Sequence, residues 1–444
     1  MIKRLEITLL VVVLFFFLSL NTVSAFSGTG TGTPNDPFQI TTINQLDEIR
    51  NNLSASYILM NDLSFDGSDL IWEPIGNFSE STGFQYFTGN FDGNNQTIYH
   101  LIIDKPDQDN IGIFGCFAGS VSNLNIENAT VKGNNSVGIV AANGTNIQIS
   151  NCHVANSSVC SNMDAGGIAG TFAIGQIQNC SVLNSTISST EGCGGGIVAT
   201  NNKGEIINSY VVNISVTAGS SAGGISGLNN FGSKIETCSA IDSTVESNSY
   251  GAGGISGWSI DTVIENCYAT GNITSDGFAA NAGGISGSNY NVSLQNCYST
   301  AFVTSKGGLG NAGGIIGVGS GCHVADCVSL NHAVNQRTPL VPIPPKFSLT
   351  TYILLKIEMG AGYIAGNNSG VQVNDCYYWN GIESNKIFPS HNGQKINSKM
   401  MWNTFPSGIW KNWNPEIWEL SSSEYYKLPV LKGQPNPEKF YPVN

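Results

Sequence analysis

Two carboxylates, Glu236 and Glu265, lie 29 positions apart at the same phase of a repeat that runs through most of the 444 residues. If equivalent positions stack in neighbouring coils, the pair is about 4.8 Å apart, near the separation of the two carboxyl groups of a retaining glycosidase. Solvated neighbours on an outward face account for them equally well, and the expectation is that neither is catalytic. Tyr268 and Tyr298 also share a phase, with Tyr210 and Tyr377 at the matching place in other copies. Facing outward, Tyr268 and Tyr298 would form a flat step for carbohydrate binding by ring stacking; cross-strand aromatic packing explains them as well. Asp62, Asp66, Asp69 and Glu73 form a denser acidic stretch, with oxygens suited to calcium or simply solvated. The histidines, His100, His153, His323, His332 and His391, show no His-Glu-x-x-His spacing, so no metal site is expected. Neither a Gly-x-Ser-x-Gly elbow nor an acidic calcium-binding nonapeptide is present. The chain therefore reads as a non-enzyme with no cofactor.

The positions of these residues are set by a short phrase: AGGIAG at 165–170, GGGIVA at 194–199, AGGISG at 222–227, 252–257 and 282–287, and AGGIIG at 312–317. Weaker copies stand at 111–116, 137–142 and 361–366. Counted through Gly138, Gly167, Gly196, Gly224, Gly254, Gly284 and Gly314, the steps are 29, 29, 28, 30, 30 and 30. A constant step of this length implies a stacked array. A second mark keeps the same step: Asn151-Cys152, Asn179-Cys180, Asn208-Ser209, Thr237-Cys238, Asn266-Cys267, Asn296-Cys297, Asp326-Cys327 and Asp375-Cys376. In the copy at 282–311, AGGISG reads as one short strand, VSLQNCYST as a strand bent at Asn296, and AFVTS as a third. Leu294 and Cys297 would face opposite ways in a straight strand. Asn tolerates left-handed backbone angles and can bond to its stacked copies, so a bend there brings both inward. Three strands per coil, each paired with its copy in the next, describe a parallel β-helix.

Charged residues make up only 11% of the chain and glycine supplies 53 positions, a composition of strands and turns rather than amphipathic helices. Lys3 and Arg4, an apolar run from Leu9 to Leu20 and Val23-Ser24-Ala25 read as a secretory signal over 1–25. Its removal takes the net charge from −13 to (18 − 2) − (31 − 1) = −14. An acidic chain without a basic cluster excludes nucleic acid as a partner. No later stretch reads as a membrane span. Thirteen Asn-X-Ser/Thr acceptors fit an exported chain. Of eleven cysteines, seven share the ladder phase and read mainly as small buried hydrophobes, though stacked thiols also lie within disulfide reach. Cys116, Cys160, Cys193 and Cys322 lie off the ladder, and a bridge between Cys160 and Cys193 stays open.

The expected fold is all-β: a right-handed parallel β-helix of about eight to nine coils with a small mixed N-terminal cap and an aromatic C-terminal cap. Residues 26–110 form that first cap and the first coil, with a helix over 42–53. Repeats occupy 111–334, a Pro-rich apolar insertion 335–360, the last coil 361–380, and the far cap 381–444, where Trp402, Trp410, Trp413 and Trp418 plug the open end.

The glycine phrase followed by aliphatic-x-Asn-Cys resembles the GLUG-motif repeat family, with Ile in place of the Leu. DPFQITTINQLDEIRNNLSASYILMNDLSF, WEPIG at 72–76, FTGNFDGNNQTI at 87–98 and LPVLKG at 428–433 are similar to the segments that bracket such arrays. The family includes surface proteins and the non-catalytic part of IgA-specific metallopeptidases. The expected role is a spacer or adhesion surface, with surface polysaccharide or other cell-surface proteins as partners. The resemblance itself implies an extracellular β-helix. It says little of activity.

Overall fold

The computed structural model describes residues 26–336, 361–367, 370–379, 393–396, 405–421 and 428–436. The signal segment, Trp402 and nearly all of the insertion lie outside these residues. What is described is a parallel β-solenoid of about nine turns with almost no helix. No helix among the described residues is long and apolar enough to cross a membrane.

The coils stack in five columns of paired segments, which are five separate strands in some coils and joined end to end into longer strands in others. In the coil opened by AGGISG at 282–287 the five are Asn281–Gly283, Ser286–Tyr290, Ser293–Gln295, Tyr298–Ser299 and Phe302–Ser305. The first column forms an eight-stranded sheet of its own, and the other four belong to one sheet of 35 strands. The glycine phrase is therefore a corner rather than one strand, and the expectation of three strands per coil is corrected to five columns of paired segments. A Cβ on Gly283 would meet the Ser286 carbonyl oxygen of its own coil at 1.9 Å, and one on Gly284 the Gly314 oxygen of the next coil at 2.0 Å. Contacts that short leave no room for a side chain, which is why the phrase carries glycine twice. The isoleucine that follows turns inward, and Ile168, Ile197, Ile225, Ile255, Ile285 and Ile315 form a continuous dry file.

Register corrects the alignment of the early copies. Gly138 pairs with Gly166, not with Gly167, and the pairs continue through Gly195, Gly223, Gly253, Gly283 and Gly313 to Gly362. The second glycine position is thus Ile139 in the early copy and Tyr363 in the late one, where the Tyr363 ring stacks on Tyr378 at 4.1 Å.

At the bend between the third and fourth columns, Asn123, Asn151, Asn179, Asn208, Thr237, Asn266, Asn296, Asp326 and Asp375 all have φ between 47° and 54°. This left-handed turn points both the preceding aliphatic residue and the following cysteine inward: Leu294 and Cys297 are fully buried. Side-chain amides run along the bend, with Asn151 donating to Asn123 at 2.9 Å, Asn179 to Asn151 at 3.1 Å, Asn208 to Asn179 at 2.7 Å and Asn296 to Asn266 at 3.3 Å. Thr237 interrupts the file.

The amino-terminal region joins the stack earlier than expected. Phe38–Ile40 pairs with Ser56–Leu59, and that strand with Asn90–Asp92, all in parallel. The helix is one turn, Ile43–Asp47, capped by Thr42 and continued as a 3-10 turn over Glu48–Asn51; Leu46 and Ile49 are buried beneath it.

The carboxyl-terminal segment corrects the expectation of an end plug. Residues 405–421 and 428–434 lie along the flank of the fourth column: Trp413 donates to the Asp326 carbonyl at 3.1 Å and Trp418 to Asn266 Oδ1 at 3.5 Å. Gln434 donates to Asn208 Oδ1 at 3.3 Å and the Thr237 carbonyl at 2.9 Å, and accepts from Ser239 at 2.5 Å. The strap thus supplies an amide beside the coil where threonine breaks the ladder.

Candidate functional site

Glu236 and Glu265 are brought together as neighbours in one column, each directly across from the other. Lys234 sits between them, its Nζ 2.8 Å from Glu236 and 2.6 Å from Glu265. Burial works against the charge, but the hydrogen bonds the ammonium donates to both carboxylates outweigh it and raise the lysine above its ordinary range, so the cation stays charged and offsets half of the pair's charge. A glycosidase needs one carboxyl protonated and the other free to attack. Here one lysine engages both carboxylates.

Tyr268 and Tyr298 stack with centroids 5.1 Å apart and planes 2° from parallel, yet both are fully buried. Trp410, Trp413 and Trp418 cover Tyr298 at about 6 Å, and Trp418 also covers Tyr268. The open aromatic step expected from the sequence is therefore replaced by an internal contact between strap and stack. Burial pushes both phenols well up from their usual range.

The acidic stretch disperses. Asp62 accepts the Thr97 amide at 2.8 Å, Asp66 pairs with His100 at 2.8 Å and Glu73 with Lys105 at 2.6 Å. Among the described residues no three metal-ligating side chains converge. All eleven cysteines are free thiols, including Cys160 and Cys193. Ladder thiols donate to carbonyl oxygens, for example Cys180 to Gln178 at 3.2 Å and Cys297 to Gln295 at 3.2 Å. Cys152, Cys238, Cys267, Cys327 and Cys376 repeat the contact two residues back, and burial pushes the Cys152, Cys267 and Cys327 thiols up. Cys152, Cys267 and Cys327, held high by burial, are packing groups rather than nucleophiles.

A cleft that the sequence did not disclose lies near the amino-terminal end, with a volume of about 840 Å³. Its wall is a hairpin, Asn77–Ser79 against Gly83–Gln85, inserted into one rung of the second column. Ile75 bridges Phe114 before the hairpin and Phe87 bridges Phe117 after it, so both ends are fixed to the stack. Gly76 (φ 73°) makes the departure: a Cβ there would meet the Cys116 oxygen at 2.3 Å. The floor consists of Asp107, Gln108, Asp109 and Asn110 with Asn134, Asn135 and Asn143. Asn134 donates to Asp109 at 2.8 Å and Asn162 to Asn134 at 3.0 Å, which orients these amides. Phe78 and Phe84 face each other across the hairpin at 4.7 Å and are about half exposed. The missed signal was the pair of phenylalanines spaced for a hairpin around Ser79-Glu80-Ser81-Thr82; nothing local tied them to residues 107–143.

A family described as "The GLUG motif" matches residues 248–274, which is close to one full coil. Over 133 residues the chain is 38% identical to halomucin of Haloquadratum walsbyi, a stretch covering 26% of this chain and 1% of that protein. Over 120 residues it is 34% identical to a candidate glycine-rich membrane protein of Evansella cellulosilytica, covering 25% of this chain and 13% of the relative. The chain thus matches only a small part of these relatives' length. Among solved structures it is similar to a candidate immunoglobulin A1 protease from Bacteroides ovatus (TM-score 0.40, 19% identity, 91% of this chain and 94% of that one) and to an IgA1 protease chain (TM-score 0.38, 18% identity, 64% and 21%).

Proposed function

We propose that this GLUG-motif repeat chain is a non-catalytic scaffold of the cell surface, exported and acting as a spacer or adhesion surface. The observation that carries this reading is the state of the repeat flanks. The Glu236–Glu265 pair is held by Lys234, and the Tyr268–Tyr298 stack is roofed by the strap. A repeated surface whose distinctive side chains are engaged with one another suits holding a distance better than turning over a substrate. Relatives named as a halomucin and as a membrane protein support the placement outside the cell, as does the signal-like segment 1–25.

Purified protein should release no reducing ends and no unsaturated products from a polysaccharide panel, and Glu236→Gln/Glu265→Gln should behave as the parent chain does. Cleavage by the parent that the double variant loses would overturn the reading. Amino-terminal sequencing of the exported protein should begin at Phe26; an intact Met1 in the medium would remove the signal assignment.

A further inference from the structure

The cleft beside the 77–85 hairpin is built in a way that a spacer does not require. A cap or a packing hairpin would bury its aromatics, yet Phe78 is 53% and Phe84 48% exposed. Tyr86 extends the ring surface, with its plane 24° from that of Phe84 and centroids 5.6 Å apart. Facing this aromatic wall is a floor of side-chain amides and carboxylates: Asp107, Gln108, Asp109, Asn110, Asn134 and Asn135. Wall and floor are both anchored in backbone pairing, the wall through Ile75 and Phe87 and the floor through the Asn110 amide on the Asn135 carbonyl at 2.8 Å and the Asn134 amide on the Gln108 carbonyl at 2.7 Å. A ligand would therefore meet a surface already ordered.

We infer that this cleft binds a neutral hexopyranose oligosaccharide, through ring stacking on Phe78 and Phe84 and hydroxyl contacts to the amide and carboxylate floor. The chemistry selects this class for three reasons. One face of a pyranose is a patch of C–H groups that fits an aromatic face, whose negative quadrupole attracts their partial positive charge. Its hydroxyls both donate and accept, and so need a mixed surface: carboxylates that accept and amides that do both. The lining charge is unfavourable to anions. Glu73, Asp107 and Asp109 outnumber Arg50, whose guanidinium is already engaged by Asp47 and by the Glu73 carbonyl. Uronate, sialate or sulfate groups would enter a site of like charge without a free cation to receive them.

This inference goes beyond the scaffold reading and is independent of it, since binding and cleavage are measured separately. Isothermal titration of the mature chain with cellohexaose, maltohexaose, laminarihexaose and mannohexaose should give saturable binding to at least one. Phe84→Ala and Phe78→Ala should each weaken it at least about tenfold. Tyr250→Ala, a half-exposed ring several coils along the stack, should leave it unchanged, and unaltered melting of all three variants should confirm that each is folded. Pentagalacturonate should not bind. The proposal falls if no neutral hexaose binds at millimolar concentration, if both phenylalanine variants bind as the parent does, or if the uronate binds as tightly as the neutral sugars.

Discussion

Asn179 occupies the left-handed bend with φ 54°, donates to Asn151 and accepts from Asn208. These two roles separate by substitution. Asn179→Gly keeps the backbone free to adopt the bend and removes the two exposed hydrogen bonds; Asn179→Ala adds a Cβ penalty of about 1–2 kcal/mol. Chemical denaturation should rank parent, glycine and alanine variants in falling stability, and an alanine variant as stable as glycine would contradict the role assigned to the bend. A second amide column lies at the next corner, where Asn128, Asn156, Asn184, Asn213 and Asp242 have φ between 48° and 58°. Four of the thirteen glycosylation-type triplets begin at these asparagines, so that pattern in the sequence partly reports a corner of the coil. The thiols carry a pH signature. Burial lifts Cys116 and Cys193 from 9.0 to about 11. Because the folded value is the higher, their contribution to stability is complete below pH 9 and is lost as pH rises towards 11, on the order of 2 kcal/mol for each. Melting temperature should fall over that window, and less steeply in Cys116→Ala/Cys193→Ala. With the fold intact, a thiol reagent should modify exposed Cys160 rapidly and the buried ladder only after unfolding.

The strap is the element whose role depends most on distant contacts. Trp418 is fully buried between Tyr268, Tyr298 and Trp413. Trp418→Ala should cost about 3–5 kcal/mol locally and release the strap before the coils melt. Early protease cutting within 405–434, with the repeats still resistant, would be the sign of it; cutting no faster than in the parent would show the strap to be held elsewhere. The Lys234 contact belongs to this scale too, since it spans two rungs. Lys234→Met leaves Glu236 and Glu265 facing each other uncompensated and should lower the denaturation midpoint, by a margin that added salt reduces.

Across the whole molecule, each coil contacts its neighbours above and below, so stability accumulates along the stack. Removing 165–193 joins Asp164 to Gly194, the register partner of Ala165, and deletes one coil away from the strap. The shortened protein should fold, lose about 4.8 Å of axial length by small-angle scattering and remain cooperative. Deleting half that length shifts every later inward residue out of phase and should abolish the sharp transition.

Repetition made the stack legible. A glycine where a carbonyl lies within about 2 Å, an isoleucine behind it and an Asn-Cys bend recur because each coil must match the next, and a constraint applied many times leaves a period in the residues themselves. The path of the strap, the hairpin inserted between Ile75 and Phe87, and the engagement of Glu236 and Glu265 by Lys234 occur once each. Their partners are far apart in the chain or lie in the neighbouring rung, and no period reports them. Whether a tyrosine faced water or a tryptophan was decided by where 405–421 came to rest, and that is a property of the packed surface rather than of any local pattern.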